Sequence, residues 1–447
     1  MTAPTPPDPP AAPVRPRRTA LHVAIGLVLV LVLVVAVAGV LPKVLRAAFT
    51  GDAMRAGPLP LSVSATAVSC QGGPAASWST FGSAPATPRA NADHTAYLVD
   101  SSDGSVVPVF TASRTVGNRI RVGKNPSFIV TNGAGTTVYV LIGDNAIVPI
   151  RTATNTTAAP IAVTAPVSRI ILTPDRNSAY VFSSPPGSAV LLTTVNLVTG
   201  VAAAAVPIGV NAATTVVAPD GRTLFAVVNP GGGKAGSLVA INTGTGAANP
   251  PMPVGVSPSY VVVTPDSRTA YVSNVVSKTV TPVDVASNRA GPPIEMIGNP
   301  LNMAVSPDGR TLYVVTANAT ACRGEPVLVP VDVRTGMTGP PIPVPGSGEA
   351  SLIRVAPDGK RVYLWGAGRK NALRWVDTTT RTAGLPIPLG SDTGAIMFAP
   401  DGSTAYGLGT DENAANRGTS LIPIDLATNT AGTAIPLPPV TLQLALR

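Results

Sequence analysis

The chain has 447 residues, a formal net charge of +9 and only 12% charged residues, about half the usual share. Its 43 Gly and 48 Pro argue against a helical enzyme, and its 45% hydrophobic content argues against a disordered chain. Two His and two Cys exclude most haem, copper and zinc centres, and without a dense basic run nucleic-acid binding is not supported.

In chain order, residues 1–19 are Pro-rich and acid-poor and read as a disordered cytoplasmic tail. Residues 20–41 are apolar except for His22, and about 20 such residues span a bilayer as a helix. The stretch is long for a signal-peptide core, so an uncleaved signal anchor is expected. Cleavage after Ala36-Val37-Ala38 is the alternative. Arg15, Arg17 and Arg18 precede the span, and Lys43 and Arg46 follow it, a slight bias toward a cytoplasmic N-terminus. The β-rich body after the span reinforces that orientation, and the chain is expected at the cell membrane as a single-pass protein with its body outside. Residues 42–89 read as linker and lead-in, and they carry Cys70.

Residues 90–447 are repetitive. Tyr97, Tyr139, Tyr180, Phe225, Tyr271, Tyr313, Tyr363 and Tyr406 recur at intervals of 41 to 50 residues, using seven of the eight tyrosines. Self-similarity at that period marks a repeat architecture. The unit is clearest at 261–297. Val261–Thr264, Thr269–Asn274, Lys278–Asp284 and Pro293–Ile297 read as four strands parted by turn formers. That is the content of one propeller blade.

The first turn recurs as Pro174-Asp175, Pro219-Asp220-Gly221, Pro265-Asp266, Pro307-Asp308-Gly309, Pro357-Asp358-Gly359 and Pro400-Asp401-Gly402. Pro presets φ, Asp bonds back to its own backbone and Gly accepts positive φ. Asp284, Asp332, Asp377 and Asp425 end the third strand and are expected to cap the next turn. The first two repeats are degenerate, with Ala92 and Ala134 in the Asp slot. The first copy also lacks a first strand, and Val440–Leu446 at the far end of the chain supplies one. An all-β propeller of eight blades, closed by that terminal strand, follows. Seven blades is the alternative if the first repeat packs outside the ring.

Tyr271-Val272-Ser273-Asn274, Ser277-Lys278-Thr279-Val280 and Val283-Asp284-Val285-Ala286-Ser287-Asn288 resemble the YVTN-type β-propeller repeat of surface-layer and periplasmic proteins. Residues 301–315 and 419–429 are similar to it as well. The resemblance implies the fold and an extracytoplasmic setting, but no single activity.

The rest of the chemistry is sparse. His94 reads as a solvated turn residue, and Gly231-Gly232-Gly233-Lys234 as a hairpin loop rather than a phosphate loop. The repeated Asp residues read as turn chemistry, so no metal site, cofactor or catalytic residue is expected from them. Cys70 precedes the first blade and Cys322 lies in an inserted loop of the sixth; an exported domain could join them, but those blades are not neighbours and two unpaired thiols are the favoured reading.

Residues of the fourth-to-first connections vary from repeat to repeat: Asn125, Asn211, Tyr260, Asn302, Glu349 and Asp392. They border the channel of a propeller and are the candidate ligand-binding residues. Insertions at 229–236, 317–326 and 409–418 rim the same face with Lys234, Arg323, Glu325, Asp411, Glu412 and Arg417. The reading is a membrane-tethered binding or scaffolding module for an envelope protein, cell-envelope polymer or small ligand, without catalysis. Two alternatives stand. One is a lactonase-like hydrolase using Glu349, Arg354 and Asp392; the other is a structural surface-layer component.

Overall fold

The second strand of the first repeat, Thr95–Asp100, is buried at every position. A strand buried on both faces needs a neighbouring sheet on each side, which a ring of stacked sheets provides to all its members. The computed structural model describes residues 94–132, 134–143, 145–163, 167–183, 190–207, 212–317, 326–345, 352–366, 372–389, 392–399, 402–410, 419–438 and 444–446. The described residues form strands and turns without a helix, and all fall in the unit Ala67–Arg447. The expected anchor, both cysteines and the unit Met1–Thr66 lie outside them. No described helix is long and apolar enough to cross a membrane.

The described strands form eight antiparallel sheets. We number the blades by their second strands: Thr95–Asp100, Thr137–Ile142, Ser178–Ser183, Thr223–Val228, Thr269–Asn274, Thr311–Ala317, Arg361–Trp365 and Thr404–Thr410. Blade 1 takes its first strand from the end of the chain. Leu444–Leu446 pairs antiparallel with Ala96, Tyr97 and Leu98, which leaves the ring no open inner edge. The degenerate first repeat is thus a full blade, and the count is eight.

The core divides into eight clusters, each shared by two consecutive blades. Tyr97 packs with Val138, Val148 and Ile150 of blade 2, and Tyr406 with Ala96, Val107 and Val109 of blade 1. The recurring aromatic therefore marks the interface between blades. Its hydroxyl also has a task. Tyr139 donates to the Leu197 carbonyl (3.0 Å), Tyr180 to Gly221 (3.2 Å) and Tyr271 to Val333 (3.2 Å). Tyr97 and Tyr363 donate to Asn155 Oδ1 (2.8 Å) and Asn429 Oδ1 (2.9 Å). Every one of these acceptors belongs to the next blade.

At the seam the Tyr406 hydroxyl lies 3.2 Å from Thr111 Oγ1 and 3.3 Å from His94 Nδ1. His94 is only 9% exposed and stands edge-on to the Tyr406 ring. The expectation of a solvated His94 is corrected here. Blade 8 packs over the residue, which the local turn pattern cannot reveal.

The turns behave as their composition dictates. Gly221, Gly309, Gly359 and Gly402 all have φ near +70°, and Arg176 and Ser267 adopt the same left-handed conformation without the glycine. Asp220, Asp308 and Asp358 accept from the backbone N–H two residues on, at 2.9 to 3.0 Å. The fourth strand is broken into two short pieces in most blades. In blade 5, Gly291-Pro292-Pro293 separates Arg289–Ala290 from Ile294–Glu295. Proline offers no N–H to a passing strand, so the outer rim resists edge-to-edge pairing.

Candidate functional site: the channel and the loop face

The first strands stand side by side around the central channel. One end of the channel carries the Asp turns; we call it the turn face. The other carries the second-to-third hairpins and the fourth-to-first connections, and is the loop face. The first strands of blades 3, 4, 5, 6 and 8 all bulge near the loop face, between Val167/Arg169, Ala212/Thr214, Pro258/Tyr260, Pro300/Asn302 and Thr393/Ala395. A bulge bends a strand and re-aims the residue after it. Repeated around a ring, it shapes a channel mouth.

Two of the expected site residues occupy this position. Tyr260 follows the bulge of blade 5 and is half-buried. Asn302 follows that of blade 6, but it is 6% exposed and its Oδ1 accepts the Met303 N–H at 2.8 Å, so its carbonyl oxygen is committed to the fold. Thr214 stands at the same level in blade 4, where its hydroxyl donates to the Ser259 carbonyl of blade 5 (2.8 Å). Asn125 is exposed in the connection from blade 1 to blade 2, with φ of 50°. Asp392 opens the first strand of blade 8, paired with Thr410. Asn211 and Glu349 lie outside the described residues, as do Arg323, Glu325, Asp411, Glu412 and Arg417. Lys234 is exposed in a hairpin loop whose Gly231, Gly232 and Gly233 all have positive φ and open surroundings. The loop joins two strands, as the sequence indicates, and lacks the strand-to-helix setting of a phosphate loop.

Two ladder steps toward the turn face, the residues paired with the interface aromatics form a complete ring. They are Val130, Ile171, Val216, Val262, Ala304, Arg354, Met397 and Ala445. Seven are apolar and all but Ala445 are partly or fully solvent-accessible. Arg354 is the exception in charge, and it is exposed. This register is invisible in the sequence until the blades are aligned on their tyrosines.

The polar groups of the two ends differ in how much of them the fold consumes. On the turn face, Asp284 Oδ1 accepts from the Ser287 N–H (2.7 Å) and hydroxyl (2.6 Å), and Asp332 does the same with Thr335 (2.7 and 2.8 Å). These bonds hold both carboxyls below the usual carboxylate range. One oxygen of each carboxyl is thus engaged in closing its own turn. A cleft of about 830 Å³ on this face, between blades 5 and 6, includes Arg289, Pro293, Glu295, Arg334 and Met337 in its lining.

The sequence gives no warning of the charged cluster of blade 1. Asp100, 2% exposed, pairs with Arg119, which also reaches Asp103 at 2.6 Å. Burial pushes the Asp100 carboxyl up. Bonds from Ser102 and Arg119 outweigh it and leave the group below its ordinary range. In blade 5 the equivalent position is Asn274, fully buried, whose Nδ2 donates to Thr279 Oγ1 (3.1 Å) and Thr281 Oγ1 (2.9 Å). Its Oδ1 accepts the Gly255 N–H of blade 4 at 3.0 Å. The Asn of the Tyr-Val-Ser-Asn sequence is therefore a clasp between blades. Among the described residues, no three His, Cys, Asp or Glu side chains gather into a metal-binding group.

No family model matches the chain, and no curated protein matches it. Solved structures do. The chain is similar to the dihydro-heme d1 dehydrogenase NirN in complex with DHE, with 16% identity, TM-score 0.59, and coverage of 79% of this chain and 76% of that one. It is also similar to apo AztD from Citrobacter koseri, with 10% identity, TM-score 0.56, and coverage of 79% and 98%. At such identities the likeness is one of fold.

Proposed function

We propose that the protein is a membrane-tethered, extracytoplasmic propeller that binds or scaffolds an envelope protein, polymer or small ligand through its loop face and channel. The observation that carries this reading is the contrast between the two ends of the ring. The repeated turn-face carboxylates are consumed by their own turns, while the channel-mouth residues differ from blade to blade on a common, bulged frame. Binding sites are built in that way, with variable groups on a rigid scaffold. NirN, a neighbour in fold, is described in complex with a ligand, which is a precedent for ligand binding by such a chain. The tether rests on the apolar run 20–41 and the outside location on the charges flanking it.

Capture from envelope extract with the purified full-length chain tests the reading. A partner or polymer retained by the wild type, and lost when Tyr260 and Asn125 are both changed to Ala, is the expected result. Turnover of a lactone panel that falls on Asp392→Ala or Glu349→Ala, with nothing captured, would replace the binding module with a hydrolase.

A further inference from the structure

Among the first-strand side chains that the structure describes, one cation has no partner. Arg354 lies on the first strand of blade 7, paired with Tyr363, and is exposed. Among the described residues its guanidinium makes no hydrogen bond and no ion pair. The positions level with it around the ring are apolar: Val216, Val262, Ala304 and Met397 among them. One step nearer the turn face the wall is apolar again, with Val217, Val263, Val305 and Phe398. The acidic residue of the adjoining first strand, Asp392, pairs with Thr410, whereas the residue level with Arg354 there is Met397. Their partners Thr410 and Tyr406 are four residues apart because the strand bulges between them, which separates the two levels by about 13 Å.

A guanidinium with no partner among the described residues, level with apolar and partly accessible side chains, offers an uncommitted charge beside exposed hydrocarbon. Its fixed fork of donors matches a carboxylate, and those apolar side chains match a hydrocarbon body. We propose that the channel binds a small apolar acid, its carboxylate on Arg354 and its apolar part against the ring of Val262, Ala304 and Met397. This rests on the reading of the channel as a binding site and names its ligand class.

Equilibrium dialysis of the full-length chain against benzoate, acetate and benzyl alcohol tests it. Benzoate has both charge and apolar body, and each of the others has one. Saturable binding of benzoate is expected, with acetate and benzyl alcohol at least about tenfold weaker. Arg354→Gln lowers the benzoate affinity at least about tenfold, the scale of a lost charge-assisted bond, and leaves benzyl alcohol unchanged. Arg289→Gln, outside the channel, has no effect. Absence of saturable benzoate binding up to about 10 mM, or equal affinity in Arg354→Gln, overturns the proposal. If envelope capture persists in that case, the anion site alone is lost; if capture fails as well, the binding-module reading falls with it.

Discussion

The tyrosine hydroxyls that tie six of the blades to the next make a graded prediction. Changing Tyr to Phe keeps the ring and its packing and deletes a single bond, which contributes about 0.5–1.5 kcal/mol net. What the bond leaves behind decides where in that range each variant falls. Tyr180 donates to the Gly221 carbonyl, which also accepts the Thr243 hydroxyl at 2.6 Å. Tyr180→Phe therefore strands no acceptor and should cost about 0.5 kcal/mol. Tyr271 donates to the half-buried Val333 carbonyl, whose position offers only partial access to water. Tyr271→Phe should cost about 1–1.5 kcal/mol. The two tyrosines lie in separate clusters, and the double variant should show the sum within about 0.5 kcal/mol. Phe225 shows that one blade already does without the hydroxyl. Guanidinium unfolding of the full-length variants, read by the midpoint at constant slope, measures the differences. If Tyr180→Phe cost more than Tyr271→Phe, or the pair deviated from additivity by more than about 1 kcal/mol, the account of independent ties would be wrong.

Other outcomes follow from the same structure. Removing residues 440–447 strips the partner strand from Ala96, Tyr97 and Leu98 and the buried Leu446 from its core. It should cost at least about 3 kcal/mol and promote oligomers, seen as a lower unfolding midpoint and an earlier peak in size-exclusion chromatography. Burial raises the phenols of Tyr139, Tyr180, Tyr271 and Tyr363. Their contribution is complete below about pH 10 and fades as pH rises through the folded values, so phenolate absorbance and loss of fold should rise together. The turn carboxyls of Asp175, Asp266 and Asp308 are lowered, by the hydroxyls of Thr173, Thr264 and Ser306 first. Their contribution is present above about pH 4 and lost as pH falls through the folded values, and calorimetry at pH 5 and pH 3 should show it. Arg176 holds φ of 53° where four other blades use Gly. Arg176→Gly should raise stability by up to about 1 kcal/mol, and a loss of that size would deny the strain.

The sequence exposed what is local and repeated. Asp220 and Asp308 close tight turns by their own chemistry, and Tyr271 recurs because each interface needs the same broad side chain. The pairing of Leu444–Leu446 with the first blade was legible by counting, because seven complete repeats left one strand missing and one over. What stayed hidden depends on neighbours far along the chain. His94 is buried by Tyr406, 312 residues away, and Asn302 turned inward onto its own backbone rather than toward the channel. The bulges were unreadable because one extra residue in a strand leaves little trace in a pattern of period two. Arg354 became distinctive only when register set it beside seven apolar counterparts.

The seam between Leu444–Leu446 and Thr95–Asp100 has a consequence for biogenesis. The first of the eight blades to be translated is the last to be completed, because its innermost strand is made after all the other blades. Until then the nascent chain carries a half-built sheet with a sticky flank, for as long as the ribosome needs to traverse some 340 codons, about 20–70 s at ordinary elongation rates. A premature stop anywhere in the last blade would leave Ala96–Leu98 without that partner strand for good.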